Sequence, residues 1–209
     1  MRARKKKWAP AELENNPRII RNPEKLGDTI KNHFTNDCPL HLEVGCGKGR
    51  FITETSLRNA DINYLALERE PTILAAAARR AQELAPHTSL YFILADVDQL
   101  LELFLPGDIA RLYINFCDPW PGKKKWAKRR LTHDNYLAKY EALKIPEIFF
   151  KTDNQILFES SLESFSRQKW TLQNVSLNLH ASNMENNIMT EYEEKFSPHG
   201  PIYRLEATF

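Results

Sequence analysis

Residues 40–49 read Leu40-His41-Leu42-Glu43-Val44-Gly45-Cys46-Gly47-Lys48-Gly49, and the rest of the fold can be laid out from them. The apolar run Leu40–Val44 predicts a buried strand, and three of the chain's seven glycines follow at alternate positions. Glycine allows a tight turn and a close backbone approach to a ligand. Spacing excludes two nucleotide loops. A dinucleotide fingerprint needs glycine at 50, where Arg50 stands, and a P-loop needs glycine at 42 and Ser or Thr at 49, where Leu42 and Gly49 stand.

Outward from this stretch, apolar runs alternate with helix-like segments. Ile62–Leu67, Leu90–Leu94, Arg111–Phe116 and Ile145–Phe150 read as further strands. Helices are expected near 49–59, 70–84, 98–104, 132–143 and 155–167, with Pro71 in an early helical turn. Such alternation predicts an α/β fold, a doubly wound, mostly parallel sheet. Trp170–Leu179 and Tyr203–Phe209 read as two longer strands, an antiparallel finish. Residues 1–35 are read as a basic N-terminal arm with one or two short helices, and 36–209 as the main domain.

In a sheet of this kind ligands bind outside the carboxyl ends of the strands. Five consecutive strand ends deliver Gly45–Gly49, Glu68, Asp96, Asp118 and Lys151-Thr152-Asp153-Asn154 to one edge. Glu68, 23 residues after Gly45, suits the ribose hydroxyls of an adenosine cofactor that needs no diphosphate cradle, which favours S-adenosylmethionine. The competing reading is a tight turn beside a solvated Glu68. Glu43 lies inside an apolar strand and needs a partner, either the cofactor's sulfonium or amino group or an internal cation. Asp96 is placed to meet adenine or to cap the helix that follows.

Charge is unevenly spread. Residues 1–7 and 122–130 hold eleven cations and no acid, which turns the net +2 of the chain into −9 for the remainder. Such concentration suits a polyanion. The second stretch follows Asp118-Pro119-Trp120-Pro121, a stiff bend that presents a carboxylate next to Lys123, Lys124, Lys125, Lys128, Arg129 and Arg130. Trp120 and Trp126 add stacking surfaces for bases. Cys38, Cys46 and Cys117 make no C-x-x-C pair, so a reducing cytoplasmic setting is expected. The six histidines lack metal-ligand spacing, and no metal is expected. No signal-peptide core follows the basic N-terminus, no run of eighteen apolar residues suggests a membrane span, and the sequence is compatible with a monomer or a homodimer.

Taken together, Gly45–Gly49, Asn115-Phe116-Cys117-Asp118-Pro119-Trp120-Pro121, Ala127-Lys128-Arg129-Arg130-Leu131, Phe150-Lys151-Thr152-Asp153-Asn154 and Met189–Phe196 resemble the tRNA (guanine-N7-)-methyltransferase family of class I methyltransferases. The resemblance implies a Rossmann-like sheet, S-adenosylmethionine as donor, and tRNA guanosine 46 in the variable loop as target. It implies Glu43, Gly45, Gly47, Gly49, Glu68, Asp96 and Asp118 at the cofactor, with Asp118 also catalytic. Lys123, Asp153, Thr190, Glu191, Tyr192 and Glu193 would contact the target nucleotide, and Lys124, Lys125, Lys128, Arg129 and Arg130 the tRNA. Five residues, Gly122–Trp126, separate two motifs that four typically separate, so Lys124 is an alternative to Lys123. Cys117 stands where Ser is familiar, and Ala142–Pro146 lacks the usual Pro-Gly-Gly turn.

Guanine N7 carries a lone pair and no proton, so its methylation needs no prior deprotonation. Asp118 is therefore expected to orient the base and stabilise its developing positive charge rather than act as a strong base.

Overall fold

The computed structural model describes residues 6–21, 23, 30–122, 124–182 and 184–209. Within them, eight strands form one sheet: β1 (Ile19–Ile20), β2 (Leu40–Val44), β3 (Asn63–Glu68), β4 (Leu90–Leu94), β5 (Arg111–Asn115), β6 (Glu147–Thr152), β7 (Thr171–Ser176) and β8 (Tyr203–Thr208). Their spatial order is β1-β4-β3-β2-β5-β6-β8-β7. Pairings are parallel from β1 across to β6, and β8 closes antiparallel against both β6 and β7. The helices are α1 (Ala9–Asn15), α2 (Arg50–Arg58), α3 (Pro71–Leu84), α4 (Leu100–Leu103), α5 (Lys124–Ala127), α6 (Asp134–Ala142), α7 (Gln155–Arg167) and α8 (Glu191–Phe196).

The central strands are buried on both faces, which is why they read as nearly unbroken apolar runs. Leu42, Val44, Leu65, Leu67, Ile114 and Phe150 pack with Tyr140 of α6 and Phe158 of α7. From the alternate positions, Tyr64, Ala66, Phe92 and Tyr113 pack with Phe51 and Ile52 of α2 and with the alanines of α3. Each large aliphatic side chain buried this way contributes about 1.5–3 kcal/mol. Chain order reverses between β2 and β5, so a crevice opens beyond their carboxyl ends.

The fold agrees with the expected class, and the differences in detail have local causes. β6 begins at Glu147 rather than Ile145, although the Ile145 side chain is buried. The Ile145 amide closes the end of α6 on Tyr140 O at 3.0 Å, after Lys144 adopts φ 52°, the left-handed cap usually given to glycine. The helix expected over 98–104 divides into a 3₁₀ turn at Val97–Gln99 and α4.

Within the region read as an arm, α1 rests on α3, and β1 pairs with Phe92 and Ile93 of β4. Arg18, 6% exposed, donates to the carbonyls of Ala85 (2.6 Å), Thr88 (3.2 Å) and Leu90 (2.8 Å). These include orphan carbonyls past the end of α3, where a cation is favoured. Arg2, Arg4 and Lys5 lie outside the described residues.

Candidate functional site

Beyond β2 the chain turns through Gly45, Gly47 and Gly49, all at positive φ. The Gly45 and Cys46 amides both donate to Leu67 O, at 2.8 and 3.1 Å, which presses the turn against the end of β3. Gly47 and Gly49 serve different ends. Gly47 at φ 57° aims its amide at Glu68 Oε2, 3.1 Å away. At Gly49 a Cβ would stand 2.8 Å from Ala77 Cβ, so the start of α2 can approach α3 only without a side chain.

Glu68 is held by its own turn as well, since Oε1 accepts from the amides of Arg69 and Glu70, each at 2.9 Å. With the Gly47 bond, three main-chain donors fix this carboxylate. Asp96 Oδ1 accepts from Asp98 N at 3.1 Å, and Gln99 Oε1 accepts from Asp96 N at 2.9 Å, a reciprocal cap. Asp96 thus caps the 3₁₀ turn and also lines the crevice.

Asp118 follows β5 in a turn with unusual backbone, Phe116 at φ 52° and Trp120 at φ 45°. Arg130 braces that turn by donating from Nε to Pro119 O at 2.8 Å and from Nη1 to Ser160 Oγ at 2.7 Å. Arg129 lies over the Trp120 ring at 4.8 Å. The Asp118 side chain is 70% exposed, with Arg69 Nη2 3.9 Å away.

These pieces share one cleft of about 800 Å³. Gly45, Glu68, Asp96, Asp118 and Arg129 line it, joined by Arg69 and Phe116. Gly47 and Gly49 are not among the residues that line it. Glu43 is fully enclosed beneath it: Oε1 accepts from Asn115 Nδ2 at 2.9 Å, and Oε2 has no partner. Burial pushes the Glu43 carboxyl up to about 7, against the opposing pull of the Asn115 bond and the Lys151 charge.

The expected nucleotide contacts occupy a neighbouring region. Tyr192 donates to Asp153 Oδ2 at 3.1 Å, and its ring lies 5.1 Å from Phe116, which links it to the cleft. Glu191 forms an ion pair with Arg80 at 3.0 Å, with geometry too oblique for a hydrogen bond. Thr190 caps α8 by accepting from Glu193 N at 2.9 Å. Glu193 is 0% exposed and accepts from Lys151 Nζ (2.6 Å), Asn187 Nδ2 (2.7 Å) and His180 Nε2 (3.1 Å). Thr190 and Glu193 are therefore engaged in the scaffold. Of the basic stretch, Lys125, Lys128 and Arg129 are exposed, whereas the Arg130 guanidinium is engaged by Pro119 and Ser160. Lys123 and the Lys124 side chain lie outside the described residues.

A family model described as "Putative methyltransferase" matches residues 37–205. A tRNA (guanine-N(7)-)-methyltransferase of Streptococcus mutans is 48% identical over 214 residues, covering 100% of both chains. One from Listeria monocytogenes is 48% identical and covers 100% of this chain and 99% of its own. The chain belongs to the tRNA (guanine-N7-)-methyltransferase family. Among solved structures, the 16S rRNA methyltransferase KamB superposes with a TM-score of 0.64 at 13% identity, covering 87% of this chain and 93% of its own. Magnesium protoporphyrin IX methyltransferase of Synechocystis, with bound SAM, gives 0.55 at 10% identity, over 99% and 86%. At these identities the superpositions show a shared class I methyltransferase fold.

For this family member, sequence reasoning missed Arg69 and Lys151. Arg69 adjoins Glu68, and that adjacency was its available signal. Lys151 appeared only as part of a motif, because its partners lie 36–42 residues further along the chain.

Proposed function

We propose that this protein transfers a methyl group from S-adenosylmethionine to N7 of guanosine 46 in the variable loop of tRNA. The observation that carries the reading is the convergence of Glu68, Asp96 and Asp118, from three successive strand ends, on one cleft beside an exposed basic stretch.

The residues present fit the cofactor. Glu68, fixed by three amides yet lining the cleft, suits a pair of ribose hydroxyls, and Asp96 suits the adenine edge. The partnerless Oε2 of Glu43 is a buried acceptor of the kind that a cationic or amino group satisfies. When bound, S-adenosylmethionine supplies an electrophilic methyl on a sulfonium.

The protein's own part is binding, orientation and charge. Asp118 faces the cleft with its carboxylate exposed, so it can align guanine and stabilise the positive charge that the base acquires at N7. Asp153, Glu191 and Tyr192 offer acceptors beside the cleft for the N1 and N2 hydrogens of guanine. Lys125, Lys128 and Arg129 attract tRNA phosphates, and their contribution weakens as salt rises. The protein acts in the cytoplasm, as a monomer or a homodimer.

The test is to incubate the protein with unmodified tRNA and S-adenosylmethionine, then apply borohydride and aniline. Strand cleavage at variable-loop guanosine 46 supports the reading. Methyl incorporation without that cleavage contradicts it.

A further inference from the structure

Lys151 is 5% exposed, and its ammonium has three acceptors: Glu193 Oε2 at 2.6 Å, Ile188 O at 2.9 Å and Asn187 Oδ1 at 3.3 Å. All three belong to the chain entering α8, and three is the number of protons an ammonium can donate. The other Glu193 oxygen is engaged by Asn187 and His180. A buried ion pair so fully satisfied is weak evidence for stability, because an apolar pair of equal volume often does as well. What it supplies instead is a fixed register between elements.

The elements it joins all border the proposed guanine site. The main-chain oxygen of Lys151 accepts from Phe116 N at 2.9 Å, which holds the left-handed Phe116 two residues before Asp118. Its Nζ lies 5.1 Å from the Phe51 ring and 6.0 Å from the Phe116 ring. Two residues along the same strand end stands Asp153, joined to Tyr192. Residue 151 therefore meets the Asp118 turn through its main chain and the α8 entrance through its ammonium, with Asp153 two residues further on. Burial lowers the Lys151 pKa while Glu193 raises it, and Glu43 lies close enough to share the charge.

We infer that Lys151 is a positioning residue for the methyl acceptor and that Glu193 acts through it without touching the nucleotide. The inference rests on the tRNA methyltransferase reading above. It expects the Lys151–Glu193 pair to govern the rate at which bound guanine reacts, while cofactor and tRNA affinity depend on other groups.

The experiment is a double-mutant cycle of Lys151→Met, Glu193→Met and the double variant Lys151→Met/Glu193→Met, with kcat and KM for tRNA and calorimetric binding of S-adenosylhomocysteine. The double variant removes both charges together and so avoids leaving one of them buried and unpaired. Each folded variant should lose about 30-fold or more in kcat, with KM for tRNA and affinity for S-adenosylhomocysteine within about threefold of wild type. The double variant should be no worse than the poorer folded single. Wild-type kcat in the double variant overturns the inference. So does a loss of S-adenosylhomocysteine affinity parallel to the loss of rate, or strictly additive losses in the singles. Failure of the unaltered protein to bind S-adenosylhomocysteine would instead contradict the proposed function.

Discussion

Glu68 and Glu193 each accept three hydrogen bonds, yet they stand in opposite relations to the cleft. The three donors to Glu68 are main-chain amides of its own turn and of Gly47, and the carboxylate lines the open crevice. The three donors to Glu193 are side chains from β6, from residue 180 and from residue 187, and no surface remains exposed. Backbone donors orient an acid and leave its outer side for a ligand. Side-chain donors from several elements enclose it and turn it into a joint. The count of hydrogen bonds is the same; under the proposed function, their origin separates binding from bracing.

Asp118 differs from both, since among the described residues its carboxylate has only the 3.9 Å ion pair with Arg69. Asp118→Asn keeps the shape and removes the charge, so kcat should fall about 10²–10³-fold while S-adenosylhomocysteine affinity stays within a few-fold. Single-turnover kinetics with saturating tRNA check this, and near-normal turnover would remove the electrostatic role. On the bracing side, Gly49→Ala places a Cβ 2.8 Å from Ala77 at φ 76°. It should destabilise the fold by about 1–3 kcal/mol in urea unfolding.

Arg129 and Arg130 divide in the same way. Arg130→Ala removes the donor to Pro119 O and Ser160 Oγ and should lower stability by about 1–2 kcal/mol, with little change in the salt dependence of tRNA binding. Arg129→Ala and Lys128→Ala should do the reverse, each reducing the salt slope by about one with stability nearly unchanged. Identical slopes for all three would erase the distinction.

Glu43 is tested through the pH dependence of stability. Its carboxyl is raised to about 7 in the folded protein, so the native state holds a proton that the unfolded chain releases near the ordinary value of 4.5. Stability from this group is fully present below about 4.5 and declines as pH rises towards 7. Glu43→Gln should therefore flatten the fall in melting temperature between pH 5 and pH 8 in ligand-free protein. An unchanged profile would place the titration elsewhere.

Much of the sheet was legible because burial on both faces writes itself as apolar runs, and 40–44 and 90–94 were read with their observed bounds. Ile145 misled because its side chain is buried while its backbone still closes α6. Ile19–Ile20 is too short to show a period, and its place beside β4 is reinforced by Arg18, whose carbonyl partners begin 67 residues away. Within the site, Glu68, Asp96 and Asp118 were readable from strand-end order. The enclosed state of Glu193 was not, because a carboxylate in sequence looks the same whether its partner is a ligand or a lysine 42 residues earlier. Arg129 and Arg130 were indistinguishable for the same reason.

Titrating S-adenosylhomocysteine into Glu68→Gln and Glu193→Gln side by side shows whether the origin of a carboxylate's hydrogen bonds decides if it takes a ligand. Affinity should weaken about tenfold or more in Glu68→Gln and stay within about threefold of the unaltered protein in Glu193→Gln. Equal losses in the two, or a larger loss in Glu193→Gln, would contradict that link.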